Sequence, residues 1–226
     1  MSNKIFNYIS QKGQDKWIIE DIFNFKKNGY FVDLAATDGI KINNTLILER
    51  ELNWKGICIE PNPIYYKELV KNRICNNTNI CVDMCNNNSV EFRIDNGELG
   101  GIVDVNTDNN YVIRGDELKN AKVITIKTKT LDYILDKFNA PKVIDYLSLD
   151  IEGSEERALI NFPFSKYTFL ALTIERPTIN LENKLFENGY FFVKKYSYDS
   201  FYIHKSIPNF NEIEKSAYSP TPKKNW

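Results

Sequence analysis

The sequence predicts an α/β protein with a mostly parallel, doubly wound sheet and helices on both faces. Three observations predict it. Short apolar strands alternate with amphipathic helical stretches along most of the chain, the pattern that feeds a parallel sheet through helical crossovers. The chain closes on two alternating strands joined by a short turn, a hairpin. Strand after strand ends in an acidic residue, which places a row of carboxylates on one rim of the sheet, where ligands of such folds bind.

The elements follow in order. Residues 14–27, QDKWIIEDIFNFKK, place Trp17, Ile18, Asp21, Ile22 and Phe25 at helical spacing, and Gly29 ends that helix. Residues 30–36 are a buried strand running into the turn of YFVDLAATDG. Residues 43–53 read as a helix that Asn43 or Asn44 can cap. KGICIE (55–60) is an apolar strand, and 62–72 a helix with Pro63 in its first turn. A third short strand spans 78–83, and SVEFRI (89–94) alternates as a strand does. Residues 95–120 are polar, rich in Gly, Asn and Asp, and without a period; so long a loop is usually functional or mobile, an acceptor lid or a plain surface insertion. A strand over 122–131 leads into a helix at 131–138. The strand 143–153 exits sharply into a helix near 154–161. The strand 167–175 precedes a helix at 180–190, and the hairpin spans 190–205.

The 226 residues are read as one domain. Within it, 1–28 is an N-terminal helical segment over the ligand site, 95–120 a lid loop for an acceptor, and 206–226 a tail, frayed over SPTPKKNW. A net charge of −1 gives no basic field for nucleic acid or anionic lipid. No apolar run approaches a membrane span, and MSNKIFNYIS has no apolar signal region. The expectation is a cytoplasmic protein without nucleic-acid or membrane partners, with a homodimer as the guess for its assembly. Cys58, Cys75, Cys81 and Cys85 lack a metal-binding spacing and a nearby histidine, and are expected as free thiols.

The strand ends carry the chemistry. In the first turn, Gly39 and the small pair Ala35–Ala36 let the backbone approach a ligand. The G-x-G-x-x-G of a dinucleotide site is absent, and Asp33 and Asp38 would repel a pyrophosphate. This argues against an NAD-type dehydrogenase. An acid-rich turn suits a positively charged ligand such as S-adenosylmethionine, with its amino group and sulfonium. Glu60, closing the second strand in CIEPN, can take both hydroxyls of a ribose. Asp83, at the third strand's end, either reaches the exocyclic amine of adenine or caps the next turn.

Several blocks in order resemble the FkbM-type methyltransferases: SQKGQD (10–15), GYFVDLAATDG (29–39), NNTLILERELNWKGICIEPNP (43–63), IDYLSLDIEGSE (144–155) and TIE (173–175). The resemblance runs from about residue 10 to about 204. It implies a class I, Rossmann-like methyltransferase fold with a seven-stranded sheet, the closing hairpin supplying its antiparallel strand. It implies S-adenosylmethionine as cofactor and O-methylation of a sugar or sugar-bearing metabolite, the sugar class being inherited from the family alone. Carried over by position, it puts Asp33, Ala35, Asp38 and Gly39 around the methionine part of the cofactor, Glu60 on the ribose and Asp83 at the adenine edge. Gln14 and Asp15 would fold over the cofactor, and Thr45 would offer a hydroxyl and an N–H to its carboxylate. The family carries glycine where this chain has Ala35, whose methyl either crowds the cofactor or is tolerated.

Methyl transfer to a sugar hydroxyl, a weak acid, calls for a base or a metal. Asp150 ends the fourth strand beside the switch point, near the transferred methyl, so it counts with both the cofactor-binding and the catalytic residues. Glu152 follows two residues on, and Glu175 ends the fifth strand. These three carboxylates suit Mg²⁺ or another divalent cation; without a metal, Asp150 or Glu152 is the direct base. Ser154, Glu155 and Glu156 read as a helix cap with favourable first-turn acids. His204, the single histidine, reads as structural. A cofactor-binding module that has lost transfer is the alternative function. A nucleic-acid methyltransferase is disfavoured by the charge and by SLDIEG standing where N/D-P-P-Y would be.

Overall fold

The computed structural model describes residues 6–220. Its main sheet has seven strands. They are β1 (Tyr30–Leu34), β2 (Lys55–Ile59), β3 (Asn76–Thr78), β8 (Val143–Leu149), β9 (Thr168–Glu175), β10 (Tyr190–Tyr196) and β11 (Asp199–His204). A smaller sheet holds β4 (Cys81–Val82), β5 (Ser89–Arg93), β6 (Gly101–Ile102) and β7 (Val123–Lys129). The helices are α1 (Gln14–Lys16), α2 (Leu46–Leu52), α3 (Pro63–Asn72), α4 (Tyr111–Arg114), α5 (Leu131–Lys137), α6 (Glu155–Leu159) and α7 (Ile179–Glu187).

The spatial order β10-β11-β9-β8-β1-β2-β3 reverses between β1 and β8. All neighbours pair in parallel except β11, which runs antiparallel to both β9 and β10. This is the Rossmann-like arrangement with a closing hairpin. Strand periodicity explains the two-sided core. Val32, Leu34, Ile57 and Ile59 pack with Leu131, Ile134, Leu159, Leu181 and Leu185 of α5, α6 and α7. The alternate residues Phe31 and Cys58 pack on the other face with Trp17, Ile18, Ile19 and Ile22, Leu48 of α2 and Leu69 of α3. At roughly 25 cal/mol per Å² of apolar surface, these layers carry most of the fold's stabilisation.

Four expectations are corrected. The N-terminal helix is shorter than 14–27: α1 continues as a π-helical stretch, Trp17–Ile22, and the chain then turns through Asn24 and Phe25 at positive φ. The strand expected at 78–83 is two strands in different sheets, β3 and β4, so Asp83 lies beyond the smaller sheet. The expected loop 95–120 contains β6, α4 and two 3₁₀ turns, Gly97–Leu99 and Gly115–Asn120. The C-terminal segment is packed along much of its length: Ile207 and Ile213 are buried, and Tyr218 Oη donates to Glu182 Oε2 at 2.7 Å. Residues 221–226 of the expected frayed tail lie outside the described residues.

All four cysteines are free, with Cys58 and Cys75 Sγ 3.5 Å apart. His204 stands at the end of β11 away from the acidic strand tips. Its Nδ1 accepts from Ser206 N at 3.1 Å and its Nε2 lies 3.2 Å from Asn188 O, a structural tie. No helix among the described residues is long and apolar enough to cross a membrane.

Candidate active site

Two connected hollows open at the carboxyl ends of β1, β2, β8 and β9. The first, ≈ 560 Å³, is a slot with apolar walls from Ile59, Val82, Phe92, Ile102 and Ile151, with Glu60 and Ser154 among its few polar groups. The second, ≈ 1070 Å³ and open to solvent, is a cleft between the tips of β1, β8, β9 and β11, lined by Asp33, Asp150, Glu152, Glu175 and Asp199. Leu34, Ala35, Thr37 and Glu98 line both, so one ligand can run from slot to cleft.

The backbone around the cleft is strained. Ala35, Thr37, Ile42, Glu152, Arg176 and Ser197 all line it and all hold φ between 46° and 63°. Each such residue costs of order 1–3 kcal/mol and persists where the surroundings over-determine it, as at functional sites. At Ala35, φ 63 is the left-handed conformation that glycine adopts freely. Gly153 holds φ +88, and a Cβ there would stand 2.8 Å from the Asp108 amide.

Glu60 is buried at the slot. Its Oε2 accepts from Thr37 N at 2.9 Å and its Oε1 from Asn62 N at 2.8 Å. Burial pushes its carboxyl up to about 7 despite those two donors. Asp33 is buried too; its Oδ2 accepts from Thr45 Oγ1 at 2.7 Å and Asn43 Nδ2 at 3.1 Å, and burial raises it.

At the β8 and β9 tips, Asp150, Glu155 and Glu175 each offer an oxygen, all within 4.8 Å of one another. Burial first, then Glu175 and Glu152, push Asp150 well above the carboxylate range. Burial and Glu175 push Glu155 up to about 8. Glu152 rises to about 7 for the same two reasons, while its Oε2 pairs with Arg176 at 3.3 Å. Arg176 also pairs with Asp108 at 2.7 Å and with Glu175. One guanidinium thus serves several carboxylates, and burial with mutual repulsion raises the proton affinity of Asp150, Glu152 and Glu155.

The FkbM methyltransferase domain family matches residues 33–213. The chain belongs to the FkbM methyltransferase family. A comparison with curated proteins finds no match. The family makes the chain a methyltransferase and implies S-adenosylmethionine as its typical cofactor.

Within this methyltransferase, the residues expected at the site divide. Asp33, Ala35, Glu60, Asp150, Glu152 and Glu175 line the slot or the cleft. Asp38, Gly39, Thr45, Gln14, Asp15 and Asp83 line neither, and each has a structural task instead. Asp38 Oδ1 accepts from Ile40 N and Lys41 N, closing its own turn. Gly39 packs under α3: a Cβ would meet Arg73 Cγ at 2.6 Å. The Thr45 hydroxyl is taken up by Asp33 and by Arg73 Nη2, at 3.0 Å. Asp15 holds Ile9 N, Ser10 N and Lys16 N, and so fixes the loop whose Gln11 and Lys12 reach the cleft. Gln14 hydrogen-bonds Asp199, which does line it. Asp83 is fully buried, with Oδ1 and Oδ2 on Arg157 at 2.8 and 3.0 Å, so the adenine contact expected of it is corrected to an ion pair.

The carboxylate triad is also corrected. Glu152 is turned to Arg176, and Glu155, expected only to favour a helix start, joins Asp150 and Glu175. Its Oε1 accepts from Ile151 N at 2.9 Å and Gly153 N at 3.2 Å, folding the turn back so that its carboxyl faces β8. Sequence reasoning missed Arg73, Arg176 and Asp199. Arg73 is buried, pairs with Glu49 at 3.1 Å and reaches Asn43 Oδ1 at 3.0 Å, bracing the donors to Asp33. The Arg176 signal lay in the sequence: it directly follows the acid that ends β9.

Proposed function

We propose that the chain is an S-adenosylmethionine-dependent O-methyltransferase acting on a hydroxyl of a sugar, in a glycan or a glycosylated metabolite. The observation that carries the cofactor assignment is the continuity of an apolar slot, with Glu60 on its wall, and a cleft floored by carboxylates. The residues fit the group: the slot suits a purine and Glu60 the ribose hydroxyls. In the cleft, Asn44 Oδ1 is buried without a partner, and Asp33 favours a cationic ligand. When bound, S-adenosylmethionine supplies a methyl group on a sulfonium.

The chain's own residues supply alignment and a proton acceptor. A carboxylate at the β8 and β9 tips would accept the proton that the acceptor hydroxyl gives up when it takes the methyl group. Asp150 and Glu175 are the pair in contact. The raised proton affinity of Asp150 suits a base at neutral pH, a contribution of typically ~10²–10⁴-fold. Carboxylate oxygens and the Arg176 guanidinium are the donors and acceptors that vicinal hydroxyls need. The segment 97–102 borders slot and cleft, and Lys41 Nζ pairs with Glu98 at 2.6 Å across their shared edge. This suits a lid that shields the site from water.

A divalent cation on Asp150, Glu155 and Glu175 is a second reading, favoured by their mutual distances. It must displace Arg176 from Glu175 and compete with the two backbone donors on Glu155, so the metal-free base is preferred. Calorimetric titration with S-adenosylhomocysteine, with NAD⁺ as control, tests the cofactor. Methyl transfer from labelled S-adenosylmethionine to a panel of sugars, with chelator and with Mg²⁺, tests the rest. Binding of S-adenosylhomocysteine and chelator-resistant transfer that falls in Glu175→Gln are expected. Binding without transfer across the panel would favour the cofactor-binding module, and no binding would overturn the cofactor assignment.

A further inference from the structure

Ser154 sits at the N-terminal end of α6, where a serine ordinarily uses its hydroxyl to cap the first backbone amides. Here the side chain makes no capping hydrogen bond. The turn is closed instead by Glu155, which accepts from Ile151 N and Gly153 N. Ser154 is 1% exposed, its Oγ is buried without a hydrogen-bond partner, and the residue lines the apolar slot. A buried hydroxyl left unpaired costs about 1–3 kcal/mol, and natural structures keep few of them.

Thr37 and Tyr65 also line the slot but are only half-buried, and of the slot's polar side chains Ser154 is the one whose oxygen is buried without a partner; three others are committed. Glu60 holds two backbone amides, Asn62 caps α3 through Ile64 N and donates to Ile94 O, and Glu98 is paired with Lys41. Asp83, the acid nearest in sequence to β4, has both oxygens on Arg157 and lies outside the slot. Apolar walls from Val82, Phe92, Ile102 and Ile151 suit a flat aromatic ring. A nucleobase has a polar edge that such walls cannot satisfy, and a hydroxyl both donates and accepts.

We propose that Ser154, through its unpaired hydroxyl, is the residue that hydrogen-bonds the polar edge of the adenine ring in the slot. This rests on the cofactor reading above. The role is one of recognition: Ser154 contributes to holding the nucleoside half of the ligand and takes no part in proton transfer.

The test compares wild type, Ser154→Ala and Ser154→Thr, each measured without ligand and with S-adenosylhomocysteine. Without ligand, Ser154→Ala melts at or above the wild-type temperature, because the lost hydroxyl had no partner; a hydroxyl that merely held the turn would lower it. S-Adenosylhomocysteine binds Ser154→Ala roughly five- to tenfold more weakly, the loss expected for one neutral hydrogen bond. Adenosine, used as a competitor, weakens by the same factor. Ser154→Thr, which keeps the hydroxyl, recovers most of the affinity. Equal affinity of wild type and Ser154→Ala for S-adenosylhomocysteine would overturn this proposal and leave the cofactor reading standing. Failure of wild type to bind S-adenosylhomocysteine would overturn both. A lower melting temperature for unliganded Ser154→Ala, with the affinity loss absent for adenosine, would assign the hydroxyl to the turn and overturn the proposal.

Discussion

Replacing Glu60 with glutamine separates the cofactor reading from a purely structural one. Burial lifts the Glu60 carboxyl from 4.5 to about 7. The folded protein therefore binds this proton more tightly than the unfolded chain. The group's contribution is most favourable below pH 4.5 and is lost as pH rises through 7. Two and a half pK units correspond to about 3 kcal/mol. Glu60→Gln removes that penalty above pH 7 but turns an N–H-bearing amide toward Thr37 N or Asn62 N, a mismatch of about 1–3 kcal/mol. The variant is thus close to wild type in stability at pH 8 and less stable near pH 5, read by urea denaturation at both. Ligand binding runs the other way. Two ribose hydroxyls donating to a carboxylate are charge-assisted bonds of about 1.5–3 kcal/mol each, so Glu60→Gln weakens S-adenosylhomocysteine by roughly 10²-fold at pH 8. Wild-type affinity falls as pH drops below 7, whereas the variant lacks that contribution. Calorimetry from pH 6 to 8.5 measures both. Affinities within threefold of each other at pH 8 would refute the assignment of Glu60 to the ribose.

Three further perturbations test the supporting structure. Arg157→Met leaves Asp83 buried without its cation and destabilises the fold by about 3–5 kcal/mol in urea titration; a loss under 1 kcal/mol would show that Asp83 is satisfied elsewhere. Gly39→Ala puts a Cβ 2.6 Å from Arg73 Cγ and 2.7 Å from Leu69 Cδ1 at φ +78. It should cost about 1–3 kcal/mol, and an unchanged melting temperature would contradict the close packing of that turn on α3. Ala35→Gly relieves a left-handed alanine, worth about 1–2 kcal/mol, against a chain-entropy cost of roughly 0.5–1 kcal/mol. It leaves stability equal or slightly higher, with S-adenosylhomocysteine affinity kept or improved; weaker binding would mean that the Ala35 methyl contacts the ligand favourably.

The alternation of strands with helices, the two-sided core and the closing hairpin follow from signals that a single sequence carries well. Phe31 and Val32 show why: neighbours on one strand face opposite layers, and both are apolar because both layers exist. The small sheet was harder to read, since β4 and β6 are two residues each and β4 pairs with β7, more than forty residues on. At the site, the sequence indicates which acids stand at strand tips but not where their oxygens point. That direction is set by local turns. Asp38 closes on its own backbone, and Glu152 at φ 55 is swung to Arg176, while Glu155 returns to β8 from five residues beyond Asp150. Positive φ at non-glycine positions such as Thr37 and Arg176 leaves no mark in composition, because the surrounding packing imposes it.

The division of the acids follows from how each is compensated. Glu49 has Arg73 and the amides of Ile74 and Cys75; Asp83 has the Arg157 fork; Asp15 has three amides. These are closed systems, and their removal is a matter of stability. Asp150, Glu152, Glu155 and Glu175 stand together with Arg176 as the cation; burial and the neighbouring acids raise the proton affinity of Asp150, Glu152 and Glu155. Glu60 is intermediate, with two amides and no cation. A row of strand-tip acids is therefore a poor guide to function until each is asked what neutralises it. In this fold Glu60 lines the slot and Asp150, Glu152 and Glu175 line the cleft, while Glu155 backs them from the start of α6.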